Sequence, residues 1–282
     1  MSEKLQGYAR QIADTRPPAS GIGIFWIGQA GFILRGQRTT LAIDAYLSPR
    51  DTRRFDAPVA AAELGFVDAF LATHQHRDHL DLPQWPAFAA AAPRARFVVP
   101  APIVDRAAAA VGDGRVTGAA PDTVITIGDA RITPIPACHG VDVADAYSFG
   151  LTAGEYRHLG YVVDLDGVRL FHSGDTIRYD GMAERLRALD VEVALLPING
   201  RSPEREAQEL VGNLSAHEAA DLAADAGIPA MVPMHHDTIA GNTRQRRRPE
   251  RVRGAPPSAA HRGRGGALHR PRVAARYDSR PP

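Results

Sequence analysis

Phe70-Leu-Ala-Thr73-His74-Gln-His76-Arg-Asp78-His79 places four groups able to bind a cation within six positions, directly after an apolar run. Neutral imidazole and ionised carboxylate are ligands that a divalent cation of intermediate hardness accepts. In an extended backbone, His74 and His76 project to one side and can share one cation. Asp78 and His79, beyond a bend, can reach a second. The competing reading is a polar surface loop with chance histidines, but packing gives no reason for three imidazoles at the end of a hydrophobic strand.

Three more candidates stand at the ends of apolar stretches: His139 after Ile135-Pro-Ala-Cys138, Asp175 in Leu170-Phe-His-Ser-Gly-Asp175, and His235 after Met231-Val-Pro-Met234. Alone, each reads equally well as a structural residue, and Asp175 as a turn former. Together they complete the ligand set of a two-cation centre, with Asp175 as the natural bridge. Zn²⁺ and Mn²⁺ both suit such donors.

Apolar runs rich in Val, Ile, Leu and Phe predict strands over Ile22–Ile27, Gly31–Arg35, Thr40–Ala45, Ala69–Thr73, Arg96–Val99, Thr123–Ile127, Arg131–Ile135, Gly160–Leu165, Val168–Ser173, Val193–Pro197 and Ala230–Pro233. Asp166-Gly167 marks a hairpin. Helices are expected over Leu82–Ala91, Ile103–Val111, Met182–Leu189 and Ala216–Ala226, the last opened by a Ser215/Glu218 capping box and closed by Gly227. No internal repeat is visible. The order, hairpins first and strands alternating with helices later, suits an α/β sandwich with helices outside.

These segments resemble the metallo-β-lactamase superfamily, whose pattern is His-x-His-x-Asp-His followed by a separate His, an Asp and a His. Trp26-Ile-Gly-Gln-Ala-Gly-Phe32, Ile43-Asp-Ala-Tyr-Leu-Ser48, Phe171-His-Ser-Gly-Asp-Thr176, Leu195-Leu-Pro-Ile-Asn-Gly200 and Pro233-Met-His-His-Asp237 are similar to segments of its L-ascorbate-6-phosphate lactonase group. The resemblance covers about 20–243 and implies an αββα sandwich. It implies that His74, His76 and His139 form one metal site and Asp78, His79 and His235 the other, with Asp175 bridging them. Asp44 would support the site without ligating. It further implies a hydrolase that uses a metal-bound hydroxide, with Asp78 as the catalytic residue that orients the hydroxide and moves its proton. The substrate expected is a lactone of a phosphorylated sugar acid or a similar small, anionic ester. Asn199, Arg201, Tyr179 and His236 are the residues expected to meet it, though each also reads as an ordinary loop residue. His172 and His158 read as support or surface. Ser173 and Cys138 lack a nucleophile–base arrangement. A phosphodiesterase, an iron redox protein and an inactive metal-binding relative are the competing readings on the same scaffold.

The net charge of +1 hides a split: residues 1–243 carry 21 basic and 30 acidic residues, whereas 244–282 carry 12 arginines against Glu250 and Asp278. The acidic body argues against nucleic acid as a partner. No apolar run is long enough to span a membrane, the N-terminus lacks signal-peptide features, and a lone Cys138 permits no internal disulfide, so a cytoplasmic enzyme, free to form homo-oligomers, is expected. The catalytic domain is expected over 1–243. The Arg- and Pro-rich stretch 244–282, with few apolar residues, is expected to be disordered, and an out-of-frame origin suits a chain with 32 Arg and one Lys.

Overall fold

A computed structural model describes residues 3–240. The expectations for 244–282 lie outside the described residues. In chain order the elements are α1 (Glu3–Asp14), β1 (Gly23–Gly28), β2 (Gly31–Arg35), β3 (Thr40–Ile43), β4 (Ala69–Leu71), α2 (Trp85–Ala91), β5 (Arg96–Pro100), α3 (Val104–Val111), β6 (Val116–Ala119), β7 (Ile125–Ile127) and β8 (Ala130–Pro136). Then follow β9 (Leu151–Thr152), β10 (Glu155–Tyr156), β11 (Leu159–Leu165), β12 (Val168–His172), α4 (Met182–Ala188), β13 (Val193–Pro197), α5 (Pro203–Glu206), α6 (Ala216–Ala226) and β14 (Ala230–Met234).

Two six-stranded sheets face each other, ordered β1-β2-β3-β4-β5-β6 and β14-β13-β12-β11-β8-β7. In each, antiparallel hairpins lead into parallel strands: β3 to β6 run parallel in the first, and β12 to β14 in the second. Alternation along the strands builds three apolar layers. Phe32 and Leu34 on β2, Leu41 and Ile43 on β3, and Tyr161 and Val163 on β11 point between the sheets. Ile33, Ala42, Phe70 and Phe97 point outward, beneath α1, α2 and α3. Phe171, Ala194 and Leu196 point outward from the second sheet, against α4 and α6. The result is the αββα sandwich expected from the sequence.

Element ends differ from the sequence reading where a single residue decides. The helix expected from Leu82 begins at Trp85, because Pro86 lacks an amide hydrogen and is accepted only in a first turn. The third strand stops at Ile43 because Asp44 turns into the left-handed region at φ 50°. Asp166 and Gly167 both have positive φ (50° and 78°), making the tight hairpin expected between β11 and β12. Helices α1 and α5, strand β6 and the small β9–β10 hairpin are not among the elements expected from the sequence. Among the described residues, no helix is long and apolar enough to cross a membrane.

Candidate metal centre

Loops leaving the C-terminal ends of β3, β4, β8, β12 and β14 converge at one edge of the sandwich, as open parallel strands direct them. Their side chains form two groups of ligand atoms: His74, His76, His139 and Asp175 in one, and Asp78, His79 and His235 in the other. The Asp175 carboxylate joins the two, lying 3.3 Å from His79 Nε2, 3.6 Å from His139 Nε2 and 3.2 Å from His235 Nε2. His235 Nε2 is also 3.4 Å from Asp78 Oδ2. Asp175 follows Gly174, at φ 59°, where a β-carbon would stand 2.7 Å from Thr73 Cβ and 2.8 Å from the Leu159 carbonyl. Only glycine lets the two ligand-bearing loops pass this closely.

Hydrogen bonds behind the cluster set the ring tautomers. Asp44 Oδ1 accepts the Thr73 backbone N–H (2.8 Å), and its Oδ2 accepts the Thr73 hydroxyl (2.7 Å) and His79 Nδ1–H (2.7 Å). Thr73 Oγ1, having donated to Asp44, accepts from His74 Nδ1 at 3.1 Å. His76 Nε2 donates to the Val141 carbonyl at 2.7 Å. These bonds leave lone pairs on His74 Nε2 and His76 Nδ1, which face each other at 2.9 Å. Lone pairs packed this way repel unless positive charge lies among them, so the donor set suits divalent cations. His79 Nε2 and Asp175 Oδ1 also meet, at 3.3 Å and both buried, as an ion pair while His79 keeps its proton.

The titration behaviour reports the same crowding. Burial drags the His74 imidazole well below its ordinary range, and neighbouring His79, His76 and His139 add to this. Burial likewise lowers His139 to about 3. At the other group, burial also works against charge on His79 and His235, but nearby carboxylates outweigh it. Asp175, Asp44 and Asp78 raise His79 well above its ordinary value, and Asp175 and Asp78 lift His235 to about 9. Asp78 and Asp175 fall below the usual carboxylate range, the surrounding imidazoles overriding a burial that works the other way.

The four residues expected to meet substrate divide into two pairs. The Arg201 guanidinium is paired with Glu218 Oε1 (2.6 Å) and Oε2 (2.9 Å) and with the Asn213 carbonyl, so these donors hold the start of α6. Tyr179 donates to the Pro136 carbonyl at 2.7 Å beneath Phe149, and burial pushes its hydroxyl up to about 12. Asn199, just beyond β13, keeps its Nδ2 without a partner, and so does His236 its Nε2, the ring stacked 5.6 Å from Trp26. His172 donates to the Ala30 carbonyl and accepts from Gly174 N–H, a supporting place. His158 is buried with its ring 5.7 Å from that of His139, so the surface option for it is excluded.

Sequence reasoning missed Gln29. It is fully buried, and its amide Nε2 donates to Asp78 Oδ2 at 2.9 Å. The signal was present in the Gly28-Gln29-Ala30-Gly31 turn between two apolar strands, but an amide carries no charge to mark it.

The Beta-lactamase superfamily domain matches residues 39–236. A UPF0173 metal-dependent hydrolase from Archaeoglobus fulgidus is 30% identical over 216 residues, covering 77% of this chain and 84% of that protein. Another from Myxococcus xanthus is 28% identical over 237 residues, covering 81% and 77%. The solved structure of isothiocyanate hydrolase from Delia radicum gut bacteria superposes with a TM-score of 0.62 at 16% identity, covering 79% of this chain and 88% of that one. With seven converging ligand side chains and relatives of this kind, the chain belongs to the beta-lactamase superfamily, among its metal-dependent hydrolases of the UPF0173 family.

Proposed function

We propose that this hydrolase opens a lactone of a phosphorylated sugar acid, or a similar small anionic ester, with two divalent cations, Zn²⁺ or Mn²⁺. The observation that carries this reading is the sharing of Asp175 between two groups of ligand atoms. When bound, the cations supply an acidified water and polarise the scissile carbonyl. The chain's own groups supply the rest. Of the two carboxylates in the cluster, the Asp78 side chain is 19% exposed and that of Asp175 5%, so Asp78 faces the opening and is the group to orient the attacking water and take its proton. Asp44 keeps His79 in one tautomer through Nδ1–H. Asn199 Nδ2, a donor, and His236 Nε2, an acceptor while its Nδ1–H donates to Asp237, are the polar groups left to meet the substrate.

A phosphodiesterase on the same scaffold is separated by assay. Protein reconstituted with Mn²⁺ or Zn²⁺ is presented with sugar-acid lactones and with phosphodiesters. Metal-dependent lactone opening that falls by about 10²–10⁴-fold in Asp78→Asn supports the proposal. Phosphodiester cleavage with no lactone opening overturns it.

A further inference from the structure

Gln29 sits in the turn between β1 and β2 at φ 53°, and three bonds fix its backbone. Its N–H donates to Thr238 Oγ1 at 2.6 Å, and its carbonyl accepts from the Trp26 indole at 2.9 Å and from His235 N–H at 3.0 Å. The side chain therefore enters the Asp78, His79 and His235 group from an immobile base. Its amide end stands 2.9 Å from Asp78 Oδ2 and lies against the His235 ring, 3.0 Å from Nε2 and 3.3 Å from Nδ1, while Oε1 is buried without a partner.

These spacings have a geometric meaning. Ligands about 2.1 Å from an octahedral cation stand about 3.0 Å from their neighbours on the shell. The Gln29 amide end keeps that separation from two of the three ligand atoms in this group. Amide nitrogen is a hydrogen-bond donor and no ligand, but amide oxygen is a good one for hard cations, and a half-turn of the carboxamide exchanges the two. As placed, the N–H covers the Asp78 acceptor. The half-turn removes the donor from between the ligand atoms and turns the buried, unpartnered Oε1 toward the place a cation would take.

We propose that Gln29 is an additional ligand of the second group, presenting Oε1 to the cation held by Asp78, His79 and His235. This rests on the two-cation reading above and extends it: the second group becomes richer in oxygen than its histidines suggest, and so favours an octahedral cation such as Mn²⁺.

The test compares wild type, Gln29→Met and Gln29→Glu, all close to Gln in length. Mn²⁺ titrations followed by electron paramagnetic resonance give stoichiometry and affinity, and Co²⁺ loading gives visible absorption that strengthens as coordination number falls. Melting temperatures of the cation-free proteins check folding. The expected result is an unchanged first equivalent and a second one weakened at least about tenfold in Gln29→Met and tightened in Gln29→Glu, with stronger Co²⁺ bands in the Met variant. Two cations bound alike by all three proteins would overturn the ligand role of Gln29 alone. No cation bound by folded wild type would overturn the metal reading and this one with it.

Discussion

An imidazole binds a cation only through a nitrogen free of its proton, so the proton and the metal compete for one lone pair. His235 holds its proton up to about 9: burial opposes the charge, but Asp175 and Asp78 more than reverse it. At pH 7 the cation must therefore expel a proton, and the competition fades as pH rises through 9. Cation affinity should accordingly increase from pH 7 to 9, and calorimetry in buffers of different ionisation enthalpy should detect proton release. A pH-independent affinity with no release contradicts this account. The two groups also predict unequal effects of substitution. Asp175 faces His79, His139 and His235, whereas His76 Nδ1 faces His74 and His139. Elemental analysis should find both cations lost from Asp175→Ala and one retained by His76→Ala; equal losses would refute the shared carboxylate. At this scale the cluster itself was legible because each member is a titratable residue stranded at the end of an apolar strand. Gln29 was not legible, since an uncharged amide looks alike in a turn and in a metal site. The Arg201 pairing was not legible for the opposite reason: Glu218 could be placed on its helix from the sequence, but nothing in the sequence says that a loop arginine 17 residues earlier pairs with it.

Elements bring these residues together through the strand ends, and the strands were legible wherever an unbroken apolar run marks a strand buried on both faces, as in β2 and β13. Helix α1 escaped because its described side chains give a weak apolar signal: among them Ala9 and Ile12 are buried, and Tyr8 contributes through its bond to the Trp26 carbonyl. The repeated plan of the two sheets escaped for a different reason. Hairpins followed by parallel strands require only alternation and turns, conditions that many unrelated sequences meet, so a repeat in topology leaves none in sequence. Helix α6 was read correctly because its caps are chemical: Ser215 Oγ accepts from Glu218 N–H while Glu218 Oε2 accepts from Ser215 N–H. Glu218 also pairs with Arg201, and that bond lowers its carboxyl to about 2. Its folded value is below the unfolded one of about 4.3, so the stability it contributes is present above pH 4.3 and lost as pH falls toward 2. Both partners are partly exposed, and solvent screening limits the contribution to about 1 kcal/mol. Glu218→Gln should thus be destabilised by about that amount in urea at pH 7, with the gap from wild type narrowing by pH 3. The same gap at both pH values would show that the ion pair contributes nothing.

Over the whole molecule, the ligands divide between the two halves of the sandwich. His74, His76, Asp78 and His79 leave the first sheet after β4, while His139, Asp175 and His235 leave the second after β8, β12 and β14. A cation held by both sets ties one sheet to the other at the edge where lone pairs otherwise repel, and does so only in the folded chain. Binding confined to the native state adds stability by mass action, about 2.7 kcal/mol when free cation stands at a hundred times its Kd. In a domain of this size each 1 kcal/mol moves Tm by about 2–4 °C, so removing the cations with a chelator should lower Tm by about 5–10 °C, and restoring Mn²⁺ or Zn²⁺ should recover it. Asp175→Ala should melt at the same temperature with and without chelator, because the side chain that joins the two groups is gone. If wild type ignores the chelator while retaining its cations, the ions bind without tying the sheets together, and the two halves are held by the apolar layer between them alone.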